Sequence, residues 1–520
     1  MDLRSRHGLP LLSLLAALAA FTALTVGTRE TAHGQAAPGA RPNIVVVMTD
    51  DQTAAELAGM PATRRLVGSA GVTFNRAYVS YPVCCPSRAT YLTGQYAHNH
   101  GVMGLYPPSG GYGAFDKANS LPVWLRRAGY RTAHIGKFLN GYGDQQPADV
   151  PPGWTDWHAT VDYSTYRMWG YKINHDGRLR RHGRAFRRDP RQYQTDVLSR
   201  IAARTIADAG RRPLFLSVAF LAPHHEDRRV QRRSGQTVRP APRHVRAFGS
   251  APLRRTASFN ESDMSDKPRF LRRHARRLGA AGVARIQAEA RSRRAALLAV
   301  DDGVRRIVSA LRARDMLDNT YIVFTSDNGY MQGQHRVRAG KMLPYEPSTR
   351  VPLVVRGPGL PRGATSRELV ANVDLAPTLL DIAGARSGAV VDGRSLLPFA
   401  RRPARRSQRA VLHETGGSRY VGLRGQDESA NRGRALRRVL TYRAVRTRRW
   451  LYVRYRGGGR ELYDMRRDPD QLRSLHRSGS HRRTRRALAR ELRRLAHCSG
   501  ESCLRPSGRI PGPARARRAA

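Results

Sequence analysis

The chain has 520 residues, 40% of them hydrophobic, so it can bury a large core and is not disordered throughout. It contains 92 Lys and Arg against 39 Asp and Glu, which gives a net charge of +53. This charge favours polyanions such as sulfated polysaccharides, nucleic acid, teichoic acids or anionic membranes, although the Arg bias of a GC-rich genome explains it equally well. Charge alone therefore identifies no substrate.

The first 34 residues predict a cleaved signal peptide and hence secretion. Arg4 and Arg6 precede an apolar run over Leu9–Val26, and small residues follow around 32–37. The run is about long enough to cross a membrane, so an uncleaved anchor is the alternative. A Pro and a Ser inside the run shorten it and favour cleavage.

Buried strands alternate with helices between residues 42 and 385. Strands are predicted at 42–51, 132–137, 214–221, 321–329 and 351–355, and helices at 121–128, 196–209 and 283–311. This alternation predicts a doubly wound α/β layer with a large, mostly parallel sheet between helices. The Pro- and Arg-rich segment 235–268 is predicted to be a long loop.

The pattern changes after residue 385. Short antiparallel strands are predicted at 410–413, 420–423, 444–445 and 450–455, and an Arg-rich helix at 484–495. We therefore predict a catalytic domain at 42–385, a small C-terminal α+β subdomain at 386–497 and a basic, disordered tail at 498–520. Four cysteines are few for a secreted chain, and Cys498 and Cys503 are predicted to form a disulfide that closes a small loop.

Residues 84–94 carry the pattern C-x-P-S-R-x-x-x-L-T-G. The pattern resembles the signature of the type I sulfatases, in which a dedicated formylglycine-generating enzyme reads the Pro and Arg and oxidises the Cys to an aldehyde. The resemblance implies that Cys84, rather than Cys85, becomes formylglycine. A buried thiol pair or a strained disulfide at a turn is the alternative interpretation. If Cys84 is modified, Cys85 is the odd thiol and is expected to be buried.

Two predicted strands end in oxygen-bearing side chains. Asp50 and Asp51 follow the first strand, and Asp327 and Asn328 follow the strand near 321. Such oxygens suit a hard divalent cation, although either pair alone could be a solvated turn or a helix cap. The sulfatase resemblance assigns all four to one Ca²⁺, with the formylglycine at position 84 completing the ligand shell.

Four basic residues match the family's catalytic set. By resemblance, Arg88 stabilises the formylglycine, and it lies one helical turn from position 84. Lys137, His224 and Lys341 match the residues that bind the sulfate and assist the leaving oxygen, and His225 is the weaker candidate. The chain has five lysines, and where Arg is the default basic residue a Lys indicates a need for a compact ammonium group.

Two further residues are candidates for lining the substrate site. Many sulfatases carry a His two residues after the first catalytic Lys. This chain has Leu139 at that position, which resembles the glucosamine-6-sulfatase branch, and Asn140 beside it is a candidate. His100 lies just beyond the nucleophile motif, and packing is its alternative role.

The resemblance covers about 42–475 and implies an alkaline-phosphatase-like α/β fold. It implies hydrolysis of a sulfate ester, with 6-O-sulfated amino sugars or aryl sulfates as substrates, through a formylglycine diol and a bound Ca²⁺. A phosphodiesterase or phosphonate monoester hydrolase of the same superfamily is one alternative, and a non-catalytic polyanion-binding protein is another. Specific binding to nucleic acid is not expected.

Overall fold

Seven consecutive buried residues, Asn43–Thr49, form the central strand of the molecule. Ile44, Val46 and Met48 belong to the apolar core on one face of the sheet, and Val45 and Val47 belong to the core on the other face. Because both faces are covered, the strand is an uninterrupted apolar run rather than an alternating one. The computed structural model describes residues 41–252, 255–416 and 441–513.

The strands in chain order are β1 Asn43–Thr49, β2 Val72–Phe74, β3 Ala77–Tyr78, β4 Arg131–Gly136, β5 Asp156–Thr160, β6 Tyr171–His175, β7 Arg178–His182, β8 Leu214–Ala219, β9 Thr320–Ser326, β10 Leu353–Arg356, β11 Ala364–Ser366, β12 Val370–Ala371, β13 Val411–Glu414, β14 Tyr442–Arg446, β15 Trp450–Tyr455 and β16 Arg460–Asp464. The α-helices in chain order are α1 Pro61–Thr63, α2 Cys84–Thr93, α3 Ala97–His100, α4 Leu121–Arg127, α5 Gln194–Ala207, α6 Arg228–Ser234, α7 Arg269–His274, α8 Ala280–Ala313, α9 Glu346–Thr349, α10 Leu375–Ala383, α11 Leu397–Arg401, α12 Arg482–Leu495 and α13 Glu501–Leu504.

Ten strands form one large sheet in the order β11-β2-β10-β9-β1-β8-β4-β5-β6-β7. The central strands β9, β1, β8, β4 and β5 run parallel to one another, while β10 pairs antiparallel to β9, and β6 and β7 continue the other side in antiparallel fashion. Helices α5 and α8 contribute to the core on one face of this sheet, and α2, α4 and α10 contribute to the core on the other. The predicted α/β sandwich with a large, mostly parallel sheet is confirmed.

The four antiparallel strands β13–β16 form a small sheet near the C-terminus. One face packs against α12, through residues such as Leu488 and Leu492. The other face packs against the segment 331–345, through Leu343 and Tyr345 among others. The predicted C-terminal antiparallel sheet is therefore present, and it supports a loop that reaches the candidate site described below.

The segment after residue 497 differs from the predicted disordered tail. Cys498 and Cys503 form the predicted disulfide, Cys503 lies within α13, and Ile510 packs against the core of the small sheet. Apolar and disulfide contacts thus order 498–513, which a count of Arg, Pro and Gly does not reveal. The predicted signal peptide, the strand at 420–423 and residues 514–520 lie outside the described residues. Within the described ranges, no helix is long and apolar enough to cross a membrane.

Candidate active site

The carboxyl ends of four adjacent strands meet at one edge of the large sheet. Strands β9, β1, β8 and β4 are neighbours in that order and run parallel. Asp327 follows β9, Asp50 and Asp51 follow β1, Lys137 follows β4, and His224 comes a short loop after β8. All five side chains are buried. The fold therefore brings these predicted site residues together where α/β sheets usually bind ligands.

Cys84 is the first residue of α2 and is completely buried. Its Sγ donates a hydrogen bond to Asp50 Oδ1 at 3.2 Å and accepts one from Lys341 Nζ at 2.8 Å. Burial, reinforced by the charge of Asp50, raises the pKa of the Cys84 thiol well above its usual value although two lysines lower it. Unmodified Cys84 is therefore a neutral thiol and a poor nucleophile. Cys85 is also buried, as predicted.

Helix α2 is fastened to the ends of the neighbouring strands. Ser87 Oγ donates to the carbonyl oxygen of Asp327, and Arg88 Nε donates to Asp327 Oδ2 at 2.8 Å. Arg88 Nη1 donates to the carbonyl oxygen of Lys137 at 2.7 Å, and Arg88 Nη2 lies 3.6 Å from Asp50 Oδ2. The guanidinium group thus connects residues at the ends of β9, β1 and β4.

Two buried side-chain oxygen atoms in this cluster have no hydrogen-bond partner among the described residues. The Asp51 backbone is left-handed at φ 66°, and its N–H donates to Asp327 Oδ1 at 3.1 Å. Asn328 Nδ2 donates to Asp51 Oδ1 at 2.6 Å. Asp51 Oδ2 and Asn328 Oδ1 remain buried without a hydrogen bond to any described residue. Since buried polar atoms are nearly always satisfied, these oxygens indicate a missing partner such as a cation.

The side chains around these oxygens fit a metal ion. One potential ligand atom from each of Asp50, Asp51, Cys84 and His224 lies within 4.8 Å of those from the other three. Carboxylate and amide oxygens dominate the surroundings, which suits a hard cation such as Ca²⁺. His224, which the sequence predicts to contact substrate rather than metal, lies beside the same acidic residues.

The surrounding charges shift the pKa values of the buried acids in different directions. Burial by itself would raise the pKa of Asp50, but Lys137, His224 and Arg88 together hold that pKa well below its usual value. Burial raises the pKa of Asp327, and the negative charge of Asp50 reinforces the rise. Lys341 Nζ lies 2.5 Å from Asp51 Oδ1, and Lys137 Nζ contacts Asp50 Oδ2. Three carboxylates thus face three permanent cations inside one buried cluster.

Tyr166 joins the site without any signal in the sequence. Its ring lies 5.1 Å from the ring of His224 and 4.7 Å from Lys137 Nζ, measured to the ring centroid. Its hydroxyl accepts a hydrogen bond from Asn140 Nδ2 at 2.6 Å. Asn140, predicted to line the site, is therefore connected to Lys137 and His224 by the side chain of Tyr166.

The two adjacent histidines have different surroundings. His224 Nδ1 donates to the carbonyl oxygen of His225 at 2.7 Å, which directs Nε2 towards Asp51 Oδ2 at 3.6 Å. His225 Nε2 instead lies 2.8 Å from Glu289 and 3.4 Å from the hydroxyl of Tyr330. The geometry therefore favours His224 as the histidine that acts at the site.

His100 is not brought into this cluster by any contact that the described residues show. Its Nδ1 accepts from the N–H of Val102 at 3.1 Å, so Nε2 carries the proton and donates to Thr90 Oγ1 at 3.0 Å. Burial lowers the pKa of His100 to about 3, which keeps the ring neutral. Both nitrogens thus brace the end of α2, and this is the packing role that the sequence left open.

Arg293 is a further residue that the sequence did not single out. From α8, its Nη2 donates to the carbonyl oxygen of Asp51 at 2.5 Å, and Nη1 donates to that of Pro223 at 3.3 Å. Its Nε pairs with Glu56 Oε1 at 3.0 Å. One buried guanidinium group thus holds the backbone on both sides of the cluster. No pattern distinguishes it from the other arginines of this Arg-rich helix.

The Sulfatase family model matches residues 42–385. This chain belongs to the sulfatase family. The match begins just before β1 and includes Cys84 and the loop of Lys341, so all the clustered residues lie within it.

Two relatives and one solved structure illustrate the match. The chain is 36% identical over 364 residues to a putative extracellular sulfatase Sulf-1 homologue of Caenorhabditis elegans, which covers 68% of this chain and 48% of the relative. It is 38% identical over 381 residues to human N-acetylglucosamine-6-sulfatase, which covers 71% of this chain and 66% of the relative. The chain thus spans about half the length of the nematode relative.

A protein solved in complex with its substrate D-glucosamine-2-N,6-O-disulfate has the same fold. It aligns with a TM-score of 0.67 at 22% identity over 87% of this chain and 97% of its own. At this identity the similarity supports the alkaline-phosphatase-like fold of the family.

Proposed function

We propose that this protein hydrolyses sulfate esters with a formylglycine made from Cys84 and one Ca²⁺ held by Asp50, Asp51, Asp327 and Asn328. The observation that carries the proposal is the position of Cys84 Sγ, which contacts both Asp50 and Lys341 inside the buried cluster. In a mature protein, the formylglycine oxygens would replace this sulfur between an acid and an ammonium group.

Formylglycine and Ca²⁺ would each supply defined chemistry. Hydrated formylglycine would supply one hydroxyl group to attack sulfur and a second whose deprotonation would expel the sulfate from the first oxygen and restore the aldehyde. Ca²⁺ held by the acidic residues would supply positive charge for the sulfate oxygens. Asp51 Oδ2 and Asn328 Oδ1, which are buried without a hydrogen bond from the described residues, support a cation at this position.

The charges of the cluster favour an anionic substrate. Three carboxylates balance three cations, so one divalent ion makes the cluster net positive. Lys137 and Lys341 place compact ammonium groups beside Asp50 and Asp51, where they bind sulfate oxygens and oppose charge on the leaving oxygen. Arg88 is held by Asp327 and acts from a fixed position beneath residue 84.

His224 is positioned to supply a proton. Because its Nδ1–H donates to a backbone carbonyl, Nε2 faces the cluster, and the imidazolium form of the ring would donate its Nε2 proton to the leaving alcohol oxygen. Tyr166 packs against His224 and Lys137, with Asn140 bonded to its hydroxyl, and these residues line the same side of the site.

The substrate in this proposal is a 6-O-sulfated amino sugar or an aryl sulfate. The relative named N-acetylglucosamine-6-sulfatase supports the first, and the Gly-Lys-Phe-Leu-Asn segment at 136–140 resembles that branch. The formylglycine-generating enzyme is the maturation partner. Because Cys84, Pro86 and Arg88 are buried in the folded chain, that enzyme has to act before folding is complete. Secretion agrees with the relative named as extracellular.

Turnover assays on the secreted protein test the proposal. Wild type, Cys84→Ala and the matched control Cys85→Ala are compared on an aryl sulfate, N-acetylglucosamine 6-sulfate and an aryl phosphodiester. We expect sulfate release by wild type and by Cys85→Ala, and none by Cys84→Ala at an unchanged circular dichroism spectrum. Activity that survives Cys84→Ala contradicts the nucleophile, and preferred turnover of the phosphodiester favours the phosphonate hydrolase alternative. Binding of heparin without turnover of any ester favours the polyanion-binding alternative.

A further inference from the structure

Three histidines from three consecutive strands lie side by side at the β7 edge of the large sheet. His158 on β5 pairs across the ladder with His175 on β6, and His182 belongs to the neighbouring β7. His158 Nδ1 and His175 Nδ1 are 3.1 Å apart, and His175 Nε2 and His182 Nε2 are 3.5 Å apart. All three side chains are half-buried, so the pair is accessible from solvent. None of the three belongs to the catalytic cluster.

The distance between His158 Nδ1 and His175 Nδ1 is close to that between two nitrogens bound to one metal ion. Zinc binds imidazole nitrogen at about 2.0–2.1 Å with tetrahedral angles, which places two ligand nitrogens roughly 3.3 Å apart. The observed 3.1 Å between His158 Nδ1 and His175 Nδ1 needs only a small adjustment. Imidazole pairs favour Zn²⁺, Cu²⁺ and Ni²⁺ over Ca²⁺.

His182 lies where it can orient the ring of His175. A histidine that binds metal through one nitrogen usually donates its other N–H to a nearby acceptor. If His175 binds through Nδ1, its Nε2–H points to His182 Nε2. The ring of His182 is itself fixed, because it stacks on Tyr171 with the two ring planes only 8° apart.

Charged side chains of both signs surround the pair. The carboxylates of Asp176 and Asp156 place negative charge near His158, whereas Arg131 and Arg180 place positive charge near the pair. The opposing arginines predict a site weaker than a closed structural zinc site.

We infer that His158 and His175 form a second metal site, which binds a borderline divalent cation such as Zn²⁺ through both Nδ1 atoms, with His182 orienting His175. The site is independent of the sulfatase proposal, because it shares no residue with the catalytic cluster. It would tie β5 to β6 at the edge of the sheet.

Zinc titration of the full chain tests this inference. The purification tag is removed, and Ca²⁺ is kept in excess so that it competes at the acidic cluster. Isothermal titration calorimetry with Zn²⁺ is expected to show one more site in wild type than in His175→Gln or His158→Gln. For His182→Gln we expect about tenfold weaker binding, as is typical when a partner of a metal ligand is removed. The matched control His274→Gln, an exposed histidine on α7, is expected to bind like wild type.

Equal zinc stoichiometry and affinity in wild type, His158→Gln and His175→Gln would overturn the inference. A second measurement does not depend on the variants folding. Electron paramagnetic resonance of wild type with one equivalent of Cu²⁺ is expected to show two coordinating nitrogens. A spectrum with only oxygen ligands would also overturn it.

Discussion

Lys341 Nζ donates a hydrogen bond to Cys84 Sγ at 2.8 Å while it contacts Asp51 Oδ1 at 2.5 Å. The lysine therefore links the proposed formylglycine position to a proposed metal ligand. The loop that carries Lys341 contacts the small sheet, because the Tyr345 hydroxyl donates a hydrogen bond to the buried Glu461 at 2.8 Å. The C-terminal sheet thus helps to position a residue of the site.

Replacing Lys341 by Arg should impair catalysis although the charge is kept. A planar guanidinium group cannot occupy the small space between Cys84 and Asp51, so we expect kcat to fall by about 10²-fold or more, the usual cost of losing one such donor. Steady-state kinetics on an aryl sulfate measures the effect, with the exposed Lys172→Arg as the matched control. Near-normal kcat in Lys341→Arg would remove Lys341 from the mechanism.

Arg293→Met should destabilise the protein and weaken its metal site. The change leaves Glu56 buried without its partner, which costs about 3–5 kcal/mol in the free energy of unfolding. The double variant Glu56→Gln/Arg293→Met is expected to recover much of this stability but not the Ca²⁺ affinity, because the Asp51 backbone has lost its anchor. Urea unfolding and Ca²⁺ titration measure the two effects separately. Arg294→Met, at the next and more exposed position, is the control, and full recovery of Ca²⁺ affinity in the double variant would contradict a positioning role.

Calcium should stabilise the folded chain through the acidic cluster. At a concentration a hundredfold above Kd, a bound ion adds about 2.7 kcal/mol to the free energy of unfolding. Chelation is therefore expected to lower Tm and abolish activity, and Ca²⁺ should restore both. Asp51→Asn should lose the Ca²⁺-dependent change in Tm, while the exposed Asp116→Asn should retain it. An equal Ca²⁺ response in both variants would place the ion elsewhere.

His413 should make the protein less stable in mild acid. Burial lowers its pKa to about 4, and its Nδ1–H donates to the carbonyl oxygen of Val79 at 2.9 Å. Since the unfolded histidine has a pKa of about 6.5, the unfolded state gains a proton first, and stability is lost as pH falls from about 6.5 towards 4. This residue alone predicts a loss of about 2 kcal/mol between pH 7 and pH 5. Urea unfolding at both pH values should show a loss smaller by that amount in His413→Gln, and an equal loss in both proteins would contradict the assignment.

The parts of the fold that follow from local pattern could be predicted. The buried run before Asp50 predicts a strand, and the topology of parallel sheets then places its acids beside those of the strand near 321. Cys84, Arg88 and Lys137 were recognised because each lies in a short motif. The structure brings these three side chains together around Asp50, and their catalytic roles remain proposals.

Residues that act through distant contacts could not be predicted. Tyr166 reaches Lys137 and His224 from a short 3-10 helix with no motif, and Arg293 reaches Asp51 across 242 residues of sequence. His100 was a candidate by proximity to the motif, but its ring nitrogens bond instead to Thr90 and to the backbone of Val102. Tertiary packing alone determines which of many similar side chains reaches the site.

The central claim is that residue 84 is formylglycine, and mass spectrometry tests it most directly. The tryptic peptide of residues 77–88 from protein secreted by its own host contains both cysteines and no internal Lys or Arg. Fragmentation is expected to show an aldehyde mass at position 84 and an intact cysteine at position 85. An intact Cys84 in catalytically active protein would contradict the proposed mechanism.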